Sequence, residues 1–425
     1  MVPPLPWFPA SGGTGPRNPR TRWEFPPRLR PNATLGVLDV TKYFGTTSGG
    51  IKTYLLEKSR YVATRPHLRQ ILVIPGAADE IVTGDGWRSY ALRGPRIPAH
   101  PPYRFLLATR SFRRIVEHER PDLIEVGSPF LVPWLTRLAN RRLQARTVWY
   151  YHSHLPRLVA PDPARASRAH HIAQRAMERY VRFLGGQFPA VICGSRFAAR
   201  EIAALGVRRV VRIPMGVDLD HFHPGRQANG ARLSRELGLP IRPFAVFAGR
   251  LAEEKRIDVV LDSWPEVERR TGLRLVIAGA GPHADRLRAH RHAGRATWLP
   301  WQDDRHRLAD LLALADLYLA PGPSETFGLT VVEAMASGTP VVAVDAGAGV
   351  ELVRDSGAGC WYPDGNPEGV VAAVTDLLEA GPARLGQVAR AFAETHHAWE
   401  SVFDRTFALY QQLVEGRPID TESSA

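Results

Sequence analysis

Length, composition and charge limit the classes to which this chain can belong. It has 425 residues, of which 44% are hydrophobic and 23% charged, with a net charge of +13 and two cysteines. These values fit two or three globular domains and exclude a disordered chain or a disulfide framework. No run of about 18 apolar residues and no secretion-signal pattern occurs, so we expect a cytoplasmic protein without a membrane span.

The first half alternates short apolar runs with helical patterns. Residues 1–32, rich in Pro, Gly and Arg, predict a flexible arm. Strands are then predicted at Leu35–Val40, Ile71–Ile74, Leu123–Val126, Thr147–Tyr151 and Val191–Cys193. Helices are predicted at Ile51–Val62, Phe130–Arg142, Arg165–Leu184 and Arg196–Leu205. Continuous apolar strands between helices indicate a parallel sheet that is covered on both faces.

The same alternation restarts after a hinge candidate at Ile213–Val217 and a polar stretch, predicted as a loop, that ends near Pro240. Strands are predicted at Phe244–Phe247, Leu273–Ile277, Thr297–Leu299, Leu317–Ala320 and Val341–Val344. Two doubly wound halves in series predict a cleft, where the carboxyl ends of both sheets can face one ligand. The predicted domains are 33–215 and 216–398, followed by a helix at 399–416 that returns to the first domain and a frayed tail at 417–425.

The strongest local pattern lies in Ser324–Pro340. It follows a predicted strand and a Pro-Gly-Pro breaker run, and it then opens a helix. Glu325 would lie in the turn and Glu333 about two turns into the helix. Backbone N–H groups between Phe327 and Thr330 would point at a ligand, and the helix dipole favours an anion there.

A random pair of glutamates at this spacing would more often be a helix cap and a solvated side chain. The surrounding sequence, however, closely resembles the E-x7-E motif of the retaining nucleotide-sugar glycosyltransferases of family 4. That family has the GT-B fold, an α/β fold in which two Rossmann-like, doubly wound parallel-sheet domains face a cleft. The resemblance implies that Glu325 is catalytic and holds sugar hydroxyls, that Glu333 binds the ribose, and that the neighbouring donor contacts are Phe327, Gly328 and Leu329.

A second motif runs from Phe244 to Arg256, as a strand, a glycine turn and a basic loop that enters a helix. Arg250 can direct two N–H bonds to phosphate oxygens, and Lys255 adds a mobile point charge. Taken alone, both would be surface residues. The stretch resembles the family's Gly-Arg-Leu…Lys segment, which implies that Arg250 and Lys255 hold the donor diphosphate in the second domain, the nucleotide-sugar domain.

The first half, which the resemblance makes the acceptor domain, offers two further candidate segments. Gly49 and Gly50 open a helix, permit close approach of a phosphate and match the family's glycine-rich loop, and Lys52 is an acceptor-side candidate. His152 matches the histidine of the family's strand-end Tyr-His-Thr element, which lies near the transferred sugar. His154 is two residues away, and we favour His152 as the catalytic residue and keep His154 as an acceptor-side candidate.

Further matches extend the resemblance from about Thr34 to Ala380. They include the segments around Gly194 and Gly216, which imply that Gly216 neighbours the donor. One departure is Trp301, where the family commonly has glycine near the nucleobase, so the base stays open.

The resemblance implies transfer with retention of anomeric configuration and without a cofactor or a required metal, and the lack of a prominent Asp-x-Asp motif agrees with this. We expect a hexose, of mannose or glucose type, to pass from GDP-mannose or a UDP- or ADP-hexose to a lipid or glycan hydroxyl. Arginine clusters in the first half favour a peripheral contact with anionic membrane at its inner face over nucleic acid, and a solvated arginine surface is the alternative. A nucleotide-sugar epimerase, a non-catalytic nucleotide-binding protein and a basic nucleic-acid-binding protein are the alternatives.

Overall fold

A computed structural model describes residues 25–45, 49–98, 103–152, 154–156, 167–239 and 243–421. Within them, strands form one sheet of eight members and a second of six. Both sheets are parallel except for β3, which pairs antiparallel with β4 at the edge of the first sheet. The predicted α/β class with two doubly wound halves is therefore confirmed.

The first sheet has the strand order β3-β4-β2-β1-β5-β6-β7-β8. Its strands are β1 (Leu35–Val40), β2 (Leu68–Gly76), β3 (Glu80–Thr83), β4 (Trp87–Arg93), β5 (Leu123–Val126), β6 (Arg146–Tyr151), β7 (Val191–Cys193) and β8 (Val210–Arg212). The helices of this half are α1 (Gly50–Ala63), α2 (Thr109–Glu119), α3 (Leu131–Ala139), α4 (Arg168–Gly185) and α5 (Arg196–Ala204). Every residue of β1 and β5 is buried, because helices cover both faces.

The second sheet has the order β11-β10-β9-β12-β13-β14. Its strands are β9 (Phe244–Ala248), β10 (Arg274–Ala278), β11 (Ala296–Leu299), β12 (Leu317–Ala320), β13 (Val341–Val344) and β14 (Gly359–Tyr362). The helices that follow α5 are α6 (Gly230–Leu237), α7 (Ile257–Thr271), α8 (Ala284–Arg288), α9 (Arg305–Leu314), α10 (Leu329–Ala336), α11 (Gly347–Ser356), α12 (Pro367–Ala380), α13 (Pro382–His396) and α14 (Trp399–Glu415). Short 3-10 helices lie at Pro224–Asn229, Glu253–Lys255 and Ala293–Arg295.

The strand order places a ligand crevice in each half. It reverses between β1 and β5 in the first sheet and between β9 and β12 in the second. Ligands of open α/β sheets bind outside the carboxyl ends of the strands at such reversals. The loops after these four strands are therefore where the fold locates a site.

Some sequence predictions were wrong. Strands β3, β4, β8 and β14 were not predicted, and the polar stretch after the hinge is not a loop, since it contains a 3-10 helix and α6. The predicted helix start at Arg165 lies outside the described residues, and the described helix begins at Arg168 behind a Ser167 cap. The arm prediction fails for residues 25–32, because Leu29 is buried and Arg28 donates to the carbonyls of Glu119 and Arg120. The rest of the arm, 1–24, lies outside the described residues.

The chain passes between the halves twice, and the two crossings lie side by side. The N–H of Val217 donates to the carbonyl of His397 at 2.7 Å, and His397 Nδ1 lies 3.0 Å from the carbonyl of Met215. After the second crossing, α14 packs on α1, where Tyr410 contacts Lys58. The exact domain boundaries stay predictions.

Candidate functional site

The two sets of sheet-end loops meet in the described structure. The Thr326 hydroxyl, after β12, donates to the carbonyl of His152, after β6, at 2.9 Å. A Cβ added to Gly50 would lie 3.6 Å from a methyl carbon of Leu329. The first turn of α1 therefore touches the first turn of α10, and the predicted donor and acceptor segments border one cleft.

Glu325 lies in the turn between β12 and α10. Its carboxylate accepts hydrogen bonds from the backbone N–H groups of Phe327 and Gly328 and from Lys255. Burial alone would raise the pKa of Glu325, but the charge and hydrogen bond of Lys255 and the two N–H groups lower it. The carboxylate is thus ionised and held in place. Two N–H groups that were predicted to face a ligand bind this carboxylate instead.

Gly328 shapes the start of α10. Its φ of 84° is left-handed, a conformation that L side chains rarely adopt, so a substitution here would strain the turn. Gly328 is the N-cap residue and has no side chain that could accept from the N–H groups of the first turn. The N-terminus of α10 therefore keeps backbone donors near the cleft, where the helix dipole favours negative charge.

Arg250 and Lys255 lie on the loop between β9 and α7. Arg250 is exposed and pairs with Glu254, and Lys255 is half-buried and pairs with Glu325. A Cβ added to Gly322, after β12, would lie 3.3 Å from the Lys255 side chain, so the two loops pack closely. Both predicted phosphate ligands thus lie on the loop after β9 at the β9–β12 reversal, and Lys255 contacts the predicted sugar-binding carboxylate.

Glu333 lies one turn into α10, not two as predicted, because α10 begins at Leu329. Its side chain is buried. Burial raises the pKa of Glu333 to about 7. The charge of Arg305 opposes this shift, and the charge of Asp218 adds to it. A carboxyl that titrates near neutral pH can accept from, or donate to, the hydroxyls of a ribose.

This shift makes the stability of the protein depend on pH. The carboxyl titrates near 4.5 when unfolded and near 7 when folded, so its stabilising effect is complete below 4.5 and is lost as pH rises through 7. We expect the difference in unfolding free energy between Glu333→Gln and the wild type, measured in urea titrations, to change with pH. As pH rises from 5 to 8, this difference should shift in favour of the variant by about 2 to 3 kcal/mol.

The matched control for this titration is Glu368→Gln, on the first turn of α12, where the side chain is exposed. Its stability relative to the wild type should not change over the same interval. A constant difference for Glu333→Gln would contradict the raised pKa of Glu333.

His152 lies in a small pocket at the carboxyl end of β6, which is lined in addition by Tyr43, Gly127, Pro129, Trp149, Tyr150, Tyr151 and Leu155. Its ring stacks on Tyr150 with 4.0 Å between centroids and 5° between planes. Burial, with Lys58 adding to it, lowers the pKa of His152 to about 3. The imidazole is therefore neutral at physiological pH and can exchange hydrogen bonds without carrying charge.

The other first-half candidates have different surroundings. His154 Nε2 lies 2.6 Å from Glu201 Oε2 on α5, which gives this histidine a structural partner. Gly49 caps α1 and has open space around its Cβ position. Burial lowers the pKa of Lys52, with Asp303 of the second half opposing the shift, and its ammonium lies 5.9 Å from the Phe44 ring centroid.

An ionic cluster across the cleft was not predicted. Arg305 on α9 lies 3.3 Å from Glu57 on α1 and 3.7 Å from Asp218 after the first crossing. Arg60 binds the same two carboxylates. These residues are separated by up to 248 positions, so one sequence gives no signal that joins them. Gly216 packs against Trp399, with no room for a Cβ, and its place beside the donor stays a prediction.

No group of three or more His, Cys, Asp or Glu side chains that could hold a metal occurs within the described residues. Among the helices described there, none combines the length and the apolar character that crossing a bilayer requires.

Comparisons with known proteins identify the family and the fold. The family profile "Glycosyltransferase Family 4" matches residues 48–221, and "Glycosyl transferases group 1" matches residues 242–380. A GDP-mannose-dependent alpha-(1-6)-phosphatidylinositol dimannoside mannosyltransferase of Mycobacterium tuberculosis is 30% identical, over 92% of this chain and 100% of that one. A phosphatidyl-myo-inositol mannosyltransferase of the same species is 30% identical, over 88% of this chain and 96% of that one.

The fold has solved counterparts. Sucrose-phosphate synthase from Thermosynechococcus elongatus superposes with a TM-score of 0.70 at 19% identity and covers 90% of this chain and 100% of that one. This likeness shows the GT-B fold, as the sequence predicted. Three findings place the chain in one family: 30% sequence identity over 92% of its length, both profile matches and the fold. The chain belongs to glycosyltransferase family 4, the glycosyl transferases group 1, and is a hexosyltransferase that uses a nucleotide sugar.

Proposed function

We propose that this enzyme transfers mannose from GDP-mannose to a hydroxyl of an inositol glycolipid. The names of the relatives support both the donor and the acceptor class. The observation that carries the proposal is the contact between Lys255 and Glu325 at the N-terminus of α10. It brings a cation for the leaving diphosphate next to a carboxylate for the sugar hydroxyls.

The roles of the residues follow from this arrangement. Arg250, Lys255 and the N-terminus of α10 neutralise the charge that develops on the departing GDP, without a metal. Glu325 orients the mannose, and Glu333 binds the ribose. The acceptor hydroxyl attacks from the face of the departing phosphate, which retains the anomeric configuration, and neutral His152 borders this reacting centre.

The proposal includes a place of action. A glycolipid acceptor is embedded in a membrane, while nucleotide sugars are water-soluble. The enzyme accordingly acts from the cytoplasm at the inner membrane face, where it makes a peripheral contact. The high arginine content of the first half supports this location.

A thermal-shift panel tests the choice of donor. GDP-mannose should raise the melting temperature more than UDP-glucose or ADP-glucose at equal concentration, because the ligand that binds the folded state more tightly stabilises it more. A ligand at about 100 times its dissociation constant stabilises the folded state by roughly 2.7 kcal/mol. GDP alone should retain part of the shift. A larger shift with a UDP- or ADP-sugar would overturn the assignment of GDP-mannose.

Product analysis tests the reaction. With GDP-mannose and phosphatidylinositol mannosides in detergent, we expect GDP and a glycolipid that has gained one hexose. Omission of the acceptor should leave the sugar configuration of the donor unchanged. Conversion of the donor to an epimer without an acceptor would favour the epimerase alternative instead.

A further inference from the structure

Helices α3 and α4 expose apolar side chains on one side of the first domain. Ile172 is 69% exposed, Phe183 53% and Leu138 44%, and Leu131 and Phe130 are exposed as well. The helices meet through stacked rings, since Trp134 lies 5.9 Å from Phe183 and Phe130 lies 6.0 Å from Tyr180 between centroids. These ring contacts join α3 to the C-terminal half of α4, and Ile172 lies about three turns before Phe183 on the same side of α4. We call this apolar side of the two helices the α3–α4 face.

Positive charge surrounds these side chains. Residues 130–146 contain four arginines and no acidic residue. Helix α4 contains Arg168, Arg175, Arg179 and Arg182 against one acidic residue, Glu178. Ile172, Arg175 and Arg179 follow one another at helical spacing, so apolar and cationic groups share one stripe. Among the basic residues here, Arg142 lies 3.7 Å from Glu117 of α2.

The α3–α4 face continues into the His152 pocket. Tyr180 on α4 donates its hydroxyl to the carbonyl of Pro129, which lines that pocket. Phe130 lies under Lys42, whose ammonium is 4.9 Å from the ring centroids of both Phe130 and Tyr43. Tyr43 lines the same pocket. An occupant of the face would therefore lie next to the acceptor side of the cleft.

We propose that the α3–α4 face docks on an anionic lipid bilayer, with its apolar side chains in the acyl boundary and its arginines at the headgroups. Mixed apolar and cationic stripes are what an interfacial helix presents to such a surface. Docking there turns the His152 pocket towards the headgroup layer, from which the head of an acceptor lipid can enter. The proposal deepens the acceptor half of the proposed function, but bilayer binding can be measured without turnover.

A bilayer fits this face better than a nucleic acid does. A nucleic acid would bind the arginines, but it offers no acyl layer for Ile172 and Leu138. An acidic protein would serve the charges equally and is an outcome that the test must separate. The bilayer proposal therefore requires that both the charges and the apolar groups contribute.

Vesicle flotation of the full chain tests the proposal. Vesicles of phosphatidylcholine with 30% phosphatidylglycerol, as a probe composition, should bind the wild type, and pure phosphatidylcholine should bind it at least about tenfold less. Ile172→Glu with Phe183→Glu should reduce binding to the anionic vesicles by about tenfold or more. Arg175→Gln with Arg179→Gln should reduce it by roughly fivefold per arginine.

Trp361→Glu is the matched control. Trp361 is 45% exposed in the second domain and lies beside Arg354, so it also combines an apolar ring with a cation. This variant should float like the wild type. Equal losses in Trp361→Glu and in the α3–α4 variants, or wild-type flotation of both α3–α4 variants, would overturn the proposal. So would flotation that responds to the arginine changes alone.

A second readout separates this proposal from the proposed function. The α3–α4 variants should keep wild-type turnover on a water-soluble inositol mannoside and the wild-type melting temperature, and lose turnover on vesicle-embedded acceptor. Loss of both activities in a folded variant would show that the face serves catalysis and not docking. If the wild type and its variants float as expected but the wild type transfers mannose to neither acceptor, the result would contradict the proposed function and leave the docking proposal supported.

Discussion

Replacement of Lys255 by methionine is expected to lower kcat by about 100- to 1000-fold, with a smaller change in KM. The ammonium lies beside Glu325 at the N-terminus of α10, where the proposed function puts the leaving diphosphate and its developing negative charge. A charge that stabilises the transition state more than the bound donor affects kcat first. Methionine retains the length of the aliphatic chain and removes the charge. Initial rates over a range of GDP-mannose concentrations give the two constants.

Arg269→Met is the control for this variant. Arg269 belongs to the same domain and forms an ion pair with Glu266, but it lies on the exposed side of α7. Its kcat should equal that of the wild type. If Lys255→Met raised KM alone, the lysine would bind the donor without assisting departure of GDP. An unchanged kcat and KM would refute the role given to Lys255.

Replacement of Lys58 by methionine should destabilise the protein by about 3 to 5 kcal/mol. The ammonium of Lys58 is fully buried and donates to Asp39 at 2.7 Å, to Glu125 at 3.1 Å and to the Tyr410 hydroxyl at 2.9 Å. Without it, two buried carboxyl groups lose their cation, and unpaired charge is costly in a low-dielectric interior. Urea unfolding followed by circular dichroism measures the loss.

Arg65→Met is the matched control, because Arg65 also joins the first domain to α14. It pairs with Glu400 at 2.8 Å, and the carboxylate is mostly exposed. Surface pairs of this kind contribute about 0 to 1 kcal/mol. Equal losses in the two variants would mean that the Lys58 cluster is no more important than a surface contact. Adding Asp39→Asn to Lys58→Met should recover part of the lost stability.

The sequence predicted well those elements whose burial is uniform. Every residue of β1 and β13 is buried, and both strands begin and end where their apolar runs do. Strand β14 was missed because Gly359–Tyr362 is only four residues long, begins with a glycine and is only partly buried. Strand β3 lies at the sheet edge with exposed or half-buried residues throughout, so it too lacks the pattern of a buried strand.

The sequence predicted those residues of the candidate site that belong to a short local motif. Glu325, Lys255 and His152 each lie in a short strand-end segment, and the fold brings these segments to one cleft. Their roles stay predictions. The contact between Lys255 and Glu325 joins residues 70 positions apart, and the raised pKa of Glu333 depends on burial by distant helices. Neither this contact nor this pKa can therefore be read from the local sequence.

The returning helix α14 has a consequence for biosynthesis. Tyr410 completes the hydrogen-bonded set around Lys58, although Lys58 belongs to the first domain and is separated from Tyr410 by 352 positions. Domains commonly fold in the order of their synthesis, beginning at the N-terminus. The first domain of this enzyme can fold its sheet on the ribosome, but its buried lysine lacks one partner until α14 emerges. A nascent chain arrested before α14 would therefore hold an incomplete first domain, with part of α1 open to chaperones.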